Sequence, residues 1–153
     1  VLAGCGGTNE PVYDEVQVGA FTVKVYDAEG YSQNKTDGTN VSELVAKVKL
    51  TYNSQGGGIV SYAYDGMFTG KVGDTALTTL KPTGTLAASN WIGLDKFMKE
   101  TVTDLKLSFP DATSYGQFVD GKPVELTIKI DNAAATLYLV KSGAQIVVSY
   151  VKP

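Results

Sequence analysis

Histidine and arginine are absent from this chain, and cysteine occurs once, as Cys5. Without an imidazole there is no His general base, no Ser-His-Asp or Cys-His nucleophile, and no His-ligated zinc or iron. All 13 basic residues are Lys, so the planar fork that grips phosphates or carboxylates at two points is missing. A lone thiol makes neither an internal disulfide nor a thiolate metal cluster. No apolar run approaches the roughly 18–20 residues that a membrane-crossing helix needs. The net charge is −3, the pI is near 4.9, and the lysines do not cluster. That balance argues against nucleic acid, which is bound by concentrated positive charge.

The 153 residues are 43% hydrophobic and 19% charged. Such a mixture is globular, and the length suits a single domain with a full core.

The opening Val1-Leu2-Ala3-Gly4-Cys5 is followed by Gly6-Gly7-Thr8-Asn9-Glu10-Pro11. Leu2-Ala3-Gly4-Cys5 resembles the lipobox of bacterial lipoproteins at all four positions. The resemblance implies that residues 1–4 end a signal peptide and that Cys5 becomes the mature N-terminus. Its sulfur would carry diacylglyceryl, with a palmitate-type chain on the amine. Two or more acyl chains hold a protein stably on a membrane, whereas one does so marginally. Residues 5–11 then form the lipidated cysteine and a flexible tether, since glycine and small polar residues stay mobile in water. Residues 12–153 form the folded domain. The expected location is the extracytoplasmic face of the cell membrane. Gly6 rather than Asp after Cys5 points to the outer membrane if the host is Gram-negative.

Along the body, apolar and polar residues alternate with period two, which puts one face of each strand in a core and the other in water. Phe21, Val23 and Val25 face inward by this pattern. So do Ala46, Val48, Leu50 and Tyr52, then Leu105, Leu107 and Phe109, then Val124, Leu126, Ile128 and Ile130. Gly73-Asp74 and Asp131-Asn132 read as turns, and Asp65-Gly66 as a hairpin turn that follows one strand from Ile59 to Tyr64. Residues 89–101 differ: Trp91, Leu94, Met98 and Val102 recur every three or four positions, which predicts a short amphipathic helix. The expected fold class is mainly β, an antiparallel sandwich with that one helix.

Residues 18–52 carry an opening strand (Val18 to Val25), a polar insert (Gly30 to Asn40) and a returning strand (Val45 to Tyr52). This is similar to the telokin-like, immunoglobulin-like extracellular domains of Gram-positive lipoproteins. That resemblance implies a cell-surface interaction or structural role.

Asp27, Glu29 and Asp37 lie in a stretch rich in oxygen ligands that calcium favours. The spacing is not that of an EF-hand, and the stretch reads equally as a solvated connection. No other cofactor is indicated. Tyr62 and Tyr64, with Tyr31, are candidate partner-binding residues, because tyrosine beside Gly, Ser and Asn typifies recognition surfaces. Core or edge packing is the other reading of the same rings. Trp91, Leu94 and Met98 are core on one reading and a lid over an apolar ligand on another. The function expected first is non-catalytic: a lipid-anchored envelope protein that meets a protein or glycan partner. A carrier of an apolar small molecule between sheet and helix is the alternative, and a carboxylate-based hydrolase stands third.

Overall fold

A computed structural model describes residues 15–34, 36–38, 40–53, 58–83, 87–88, 91–95 and 100–153. In chain order the elements are β1 (Val16–Val18), β2 (Phe21–Asn34), β3 (Asn40–Tyr52), β4 (Ile59–Ala63) and α1 (Tyr64–Met67). Then come β5 (Phe68–Val72), β6 (Thr75–Thr83), β7 (Ala87–Ala88), β8 (Trp91–Asp95) and β9 (Glu100–Ser108). The chain closes with α2 (Ala112–Tyr115), β10 (Pro123–Ile130), β11 (Ala133–Ser142) and β12 (Gln145–Ser149). The protein is mainly β. Nine strands form one antiparallel order, β1-β2-β3-β9-β6-β5-β10-β11-β12, and β4-β8-β7 form a small second sheet.

The nine-stranded sheet curls into half a barrel. β6 makes the corner. Its first residues pair with β5 (Val72↔Thr75 to Gly70↔Leu77), and its later ones pair with β9 (Thr78↔Ser108 to Thr83↔Asp104). The ends of the sheet come round to each other, β12 lying beside β2 and β1 beside β11. At this seam the Tyr150 hydroxyl accepts from the Val25 backbone N–H at 3.2 Å.

Between the two curved halves lies the core. Phe21, Val23, Val25, Leu44, Val48, Leu50, Leu105 and Leu107 come from one half. Phe68, Val72, Val124, Leu126, Ile128, Ile130, Leu137 and Leu139 come from the other. All are at most 3% exposed, and each such side chain contributes about 1.5–3 kcal/mol through removal from water. The inward positions expected from period two are therefore filled as read, with Tyr52 only half-buried. Gly70 marks the tightest contact: a Cβ there would lie 2.9 Å from Leu107 Cδ1.

One end of the curl is covered by the segment after β9. The Asp111 carboxylate accepts from the Ser114 N–H at 2.7 Å and starts the single turn of α2. That turn holds Tyr115 edge-on to Phe109, centroids 5.1 Å apart, with Phe118 6.1 Å from Phe109.

Three sequence expectations are corrected. The helix over 89–101 is not formed: Trp91–Asp95 is a strand, paired with Ile59–Ala63 on one side and with Ala87–Ala88 on the other, and Glu100 opens β9. The three-and-four spacing spans two separate strands. Gly93 weakens a helix by about 1 kcal/mol, while Trp91 and Ile92 favour the pleated ladder. Secondly, Tyr62 and Tyr64 do not share a strand. β4 ends at Ala63 and Tyr64 opens α1. β4 pairs within the small sheet and β5 within the large one. A hairpin at Asp65-Gly66 cannot join them, and a helical turn that buries Met67 re-aims the chain instead. Thirdly, the polar insert at 30–40 is mostly strand: β2 runs to Asn34, and β3 begins at Asn40.

Candidate functional site

The third correction has its cause at Tyr26. Val25 pairs with Val48 and Asp27 with Lys47, so Tyr26 is the extra residue of a β-bulge. A bulge sets two consecutive residues opposite one. Before it, Phe21, Val23 and Val25 point inward; after it, the same face carries half-buried Ala28 and then Gly30 and Ser32, both exposed, opposite Ala46, Leu44 and Ser42. Ala28 packs against the core, and the Ser32 and Ser42 hydroxyls are 2.8 Å apart. Asp27, Glu29 and Tyr31 are thereby turned to the outer face.

On that face Tyr31 donates its hydroxyl hydrogen to Glu43 Oε2. The phenol is pushed up to about 12, first by this hydrogen bond, then by partial burial and by the negative charges of Glu43 and Glu29. For a group raised in the folded state, the stabilising contribution is intact below the ordinary tyrosine value near 10. It is lost as pH climbs through about 12. A phenolate absorbance titration of the protein is expected to show one late-ionising tyrosine. Glu43→Gln should move it back toward ordinary tyrosine. A late phase that persists in Tyr31→Phe would mean that another residue produces it.

Asp27, Glu29 and Asp37 do not converge: no group of three or more carboxylates among the described residues is placed to hold a metal ion. Cys5 and Met98 lie outside the described residues, as do the side chains of Tyr62, Tyr64, Trp91 and Leu94. Because Trp91 and Leu94 sit on β8, the helical lid over an apolar ligand loses its premise. No helix among the described residues is long and apolar enough to cross a membrane.

The structure assembles a group of side chains on the outer face of the other half-sheet. In β5, Gly70 and Val72 are buried, so Thr69 and Lys71 point out; in β10, Val124, Leu126 and Ile128 are buried, so Glu125 and Thr127 point out. Thr136 and Tyr138 of β11 face outward by the same rule, beside buried Leu137 and Leu139. The antiparallel registers then align Lys71, Glu125 and Tyr138 in one cross-strand row and Thr69, Thr127 and Thr136 in the next. The Lys71 ammonium lies 3.3 Å from Glu125 Oε2, and the Thr127 and Thr136 hydroxyls are 3.1 Å apart. A hollow of about 440 Å³ on this face is lined by Lys71 and Glu125 of the first row, by the three threonines of the second, and by Gly70 and Ala76, while Tyr138, next to Glu125 in the register, stands outside that lining. Sequence reading had no means of finding it. Each member is an ordinary outward residue of its own strand, and only the pairing registers bring the three strands' members together.

A partly exposed Lys–Glu pair contributes at most about 1 kcal/mol to stability. Its chemical use is different, because a carboxylate and an ammonium side by side offer both hydrogen-bond acceptors and donors. No family model, no curated protein and no solved structure matches the chain.

Proposed function

We propose that this protein is a bacterial envelope lipoprotein, acylated at Cys5 and displaying a non-catalytic binding domain at the extracytoplasmic membrane surface. One observation carries the reading: the only cysteine of 153 residues stands in Leu2-Ala3-Gly4-Cys5, directly before the small polar stretch Gly6 to Glu10. A lone thiol makes no internal disulfide. Acyl chains on it supply the apolar area for membrane residence that the rest of the sequence lacks in any long apolar run. The non-catalytic part of the reading is supported by the lack of His and by an interior filled with apolar side chains. Kinship with immunoglobulin-like surface domains belongs to the same proposal, and its support is the antiparallel pairing of Phe21–Asn34 with Asn40–Tyr52.

Intact mass of the protein extracted from membranes, expressed from the complete gene, tests the anchor. The mature chain should begin at Cys5 and carry the added mass of diacylglyceryl. Cys5→Ser should stay unprocessed or appear in the soluble fraction. An unmodified sulfur in the membrane-extracted protein, or equal release of both proteins, would overturn the reading.

A further inference from the structure

We infer that the hollow on the outer face of β5, β10 and β11 binds an uncharged oligosaccharide. The inference deepens the surface-binding reading above and rests on it for the choice of partner. The hollow's volume of about 440 Å³ lies within the range of roughly 300–1,000 Å³ typical of small-molecule sites.

The lining chemistry selects among ligands. A phosphate or acidic polymer needs unneutralised cations, but the one lysine here is paired with Glu125 at 3.3 Å. An apolar ligand would leave the Thr69, Thr127 and Thr136 hydroxyls without partners from water, at a desolvation cost. An extended peptide would need a free backbone edge to pair with. β10 is paired on both sides, and β5 is paired with β6 from Gly70 to Val72 as well as with β10, so the floor of the hollow offers no continuous free edge.

A sugar chain fits what remains. Vicinal hydroxyls donate to a carboxylate and accept from an adjacent ammonium, as Glu125 and Lys71 are arranged to do. The threonine row adds groups that both donate and accept. Tyr138 stands directly across from Glu125, where cross-strand Cβ atoms are about 4.5–5.5 Å apart. Its half-buried ring stands beside the hollow, outside its lining, where it offers an apolar surface to the C–H face of a pyranose that extends past Glu125.

The test uses the full chain bearing Cys5→Ser, so that lipid does not contribute. It is titrated calorimetrically and screened on immobilised cello-, malto-, manno- and chito-oligosaccharides. At least one series is expected to bind. Glu125→Gln combined with Lys71→Met should weaken that binding by at least about tenfold, since hydrogen bonds to charged partners are the stronger ones. Tyr138→Ala should do likewise, and Lys47→Met, at an exposed position of β3 in the opposite half-sheet, should bind as the parent does. Thermal unfolding of each variant checks the fold, and Glu125→Gln alone serves if Tyr138→Ala is destabilised. Absence of binding to every series at millimolar sugar would overturn the inference. So would binding undiminished in the altered proteins. Neither result touches the acylation of Cys5, which its own mass measurement decides.

Discussion

Leu107→Ala is expected to lower stability by about 2–5 kcal/mol, the range for truncating a fully buried leucine, and to turn Gly70→Ala from harmful to nearly neutral. Leu107 is 0% exposed and lies under β5, where the missing side chain of Gly70 leaves room for its methyl. A Cβ at Gly70 would stand 2.9 Å from Leu107 Cδ1, closer than two carbons pack. Gly70→Ala alone should therefore cost about 1–3 kcal/mol by overpacking, despite the better intrinsic strand behaviour of alanine. In the double variant the new methyl enters the cavity left by Leu107. The summed single effects should exceed the measured double effect by about 0.5–3 kcal/mol, the coupling found between residues in contact. Urea unfolding of the four proteins closes the cycle. Strict additivity would show that Gly70 and Leu107 do not share that space. The contact sits where β6 turns the corner between the half-sheets, so the pair also holds the curl that shapes the proposed binding face.

What the sequence disclosed about this fold was its local periodicity. Val124, Leu126, Ile128 and Ile130 alternate without interruption and are buried as that alternation requires. Gly73 and Asp131 turn with positive φ at the positions where turn chemistry placed them. Misreadings arose where two elements meet. Trp91, Leu94 and Val102 mimic a helical stripe only because a strand end and a strand start fall at compatible spacing. Tyr62 and Tyr64 read as one strand because nothing local reveals that β4 and β5 belong to different sheets. The bulge at Tyr26 left a trace that was legible in principle: Phe21, Val23 and Val25 are odd-numbered, whereas Ala28, Gly30 and Ser32 are the small residues of the even phase. Such a break in phase reads equally as the end of a strand. The proposed sugar site could not have been seen at all, because register is set by long-range pairing that a single sequence does not display.

Two one-residue deletions in β2 should differ more than any pair of point substitutions there. Without Tyr26, Val25 faces in, Asp27 out and Ala28 in, which is plain alternation against Val48, Lys47 and Ala46. Every inward residue keeps its place, and only the extra twist of the bulge is lost. That deletion should cost no more than an ordinary substitution, about 0.5–3 kcal/mol. Without Ala28 there is no such escape. If the bulge is kept, Glu29 takes the inward position opposite Ala46. If the bulge is abandoned, Asp27 takes it. Either way a carboxylate enters a site lined by Ala46 and its buried neighbours, with no cation provided. The position is half-buried, so the carboxylate keeps part of its water there, and its charged form is disfavoured beside the core. The chain lacking Ala28 is therefore expected to melt at a lower temperature than the chain lacking Tyr26 at neutral pH and to regain part of the difference as pH falls and the carboxylate protonates. The chain lacking Tyr26 should melt cooperatively. Equal damage from the two deletions would mean that the phase of β2 is set by something other than the bulge.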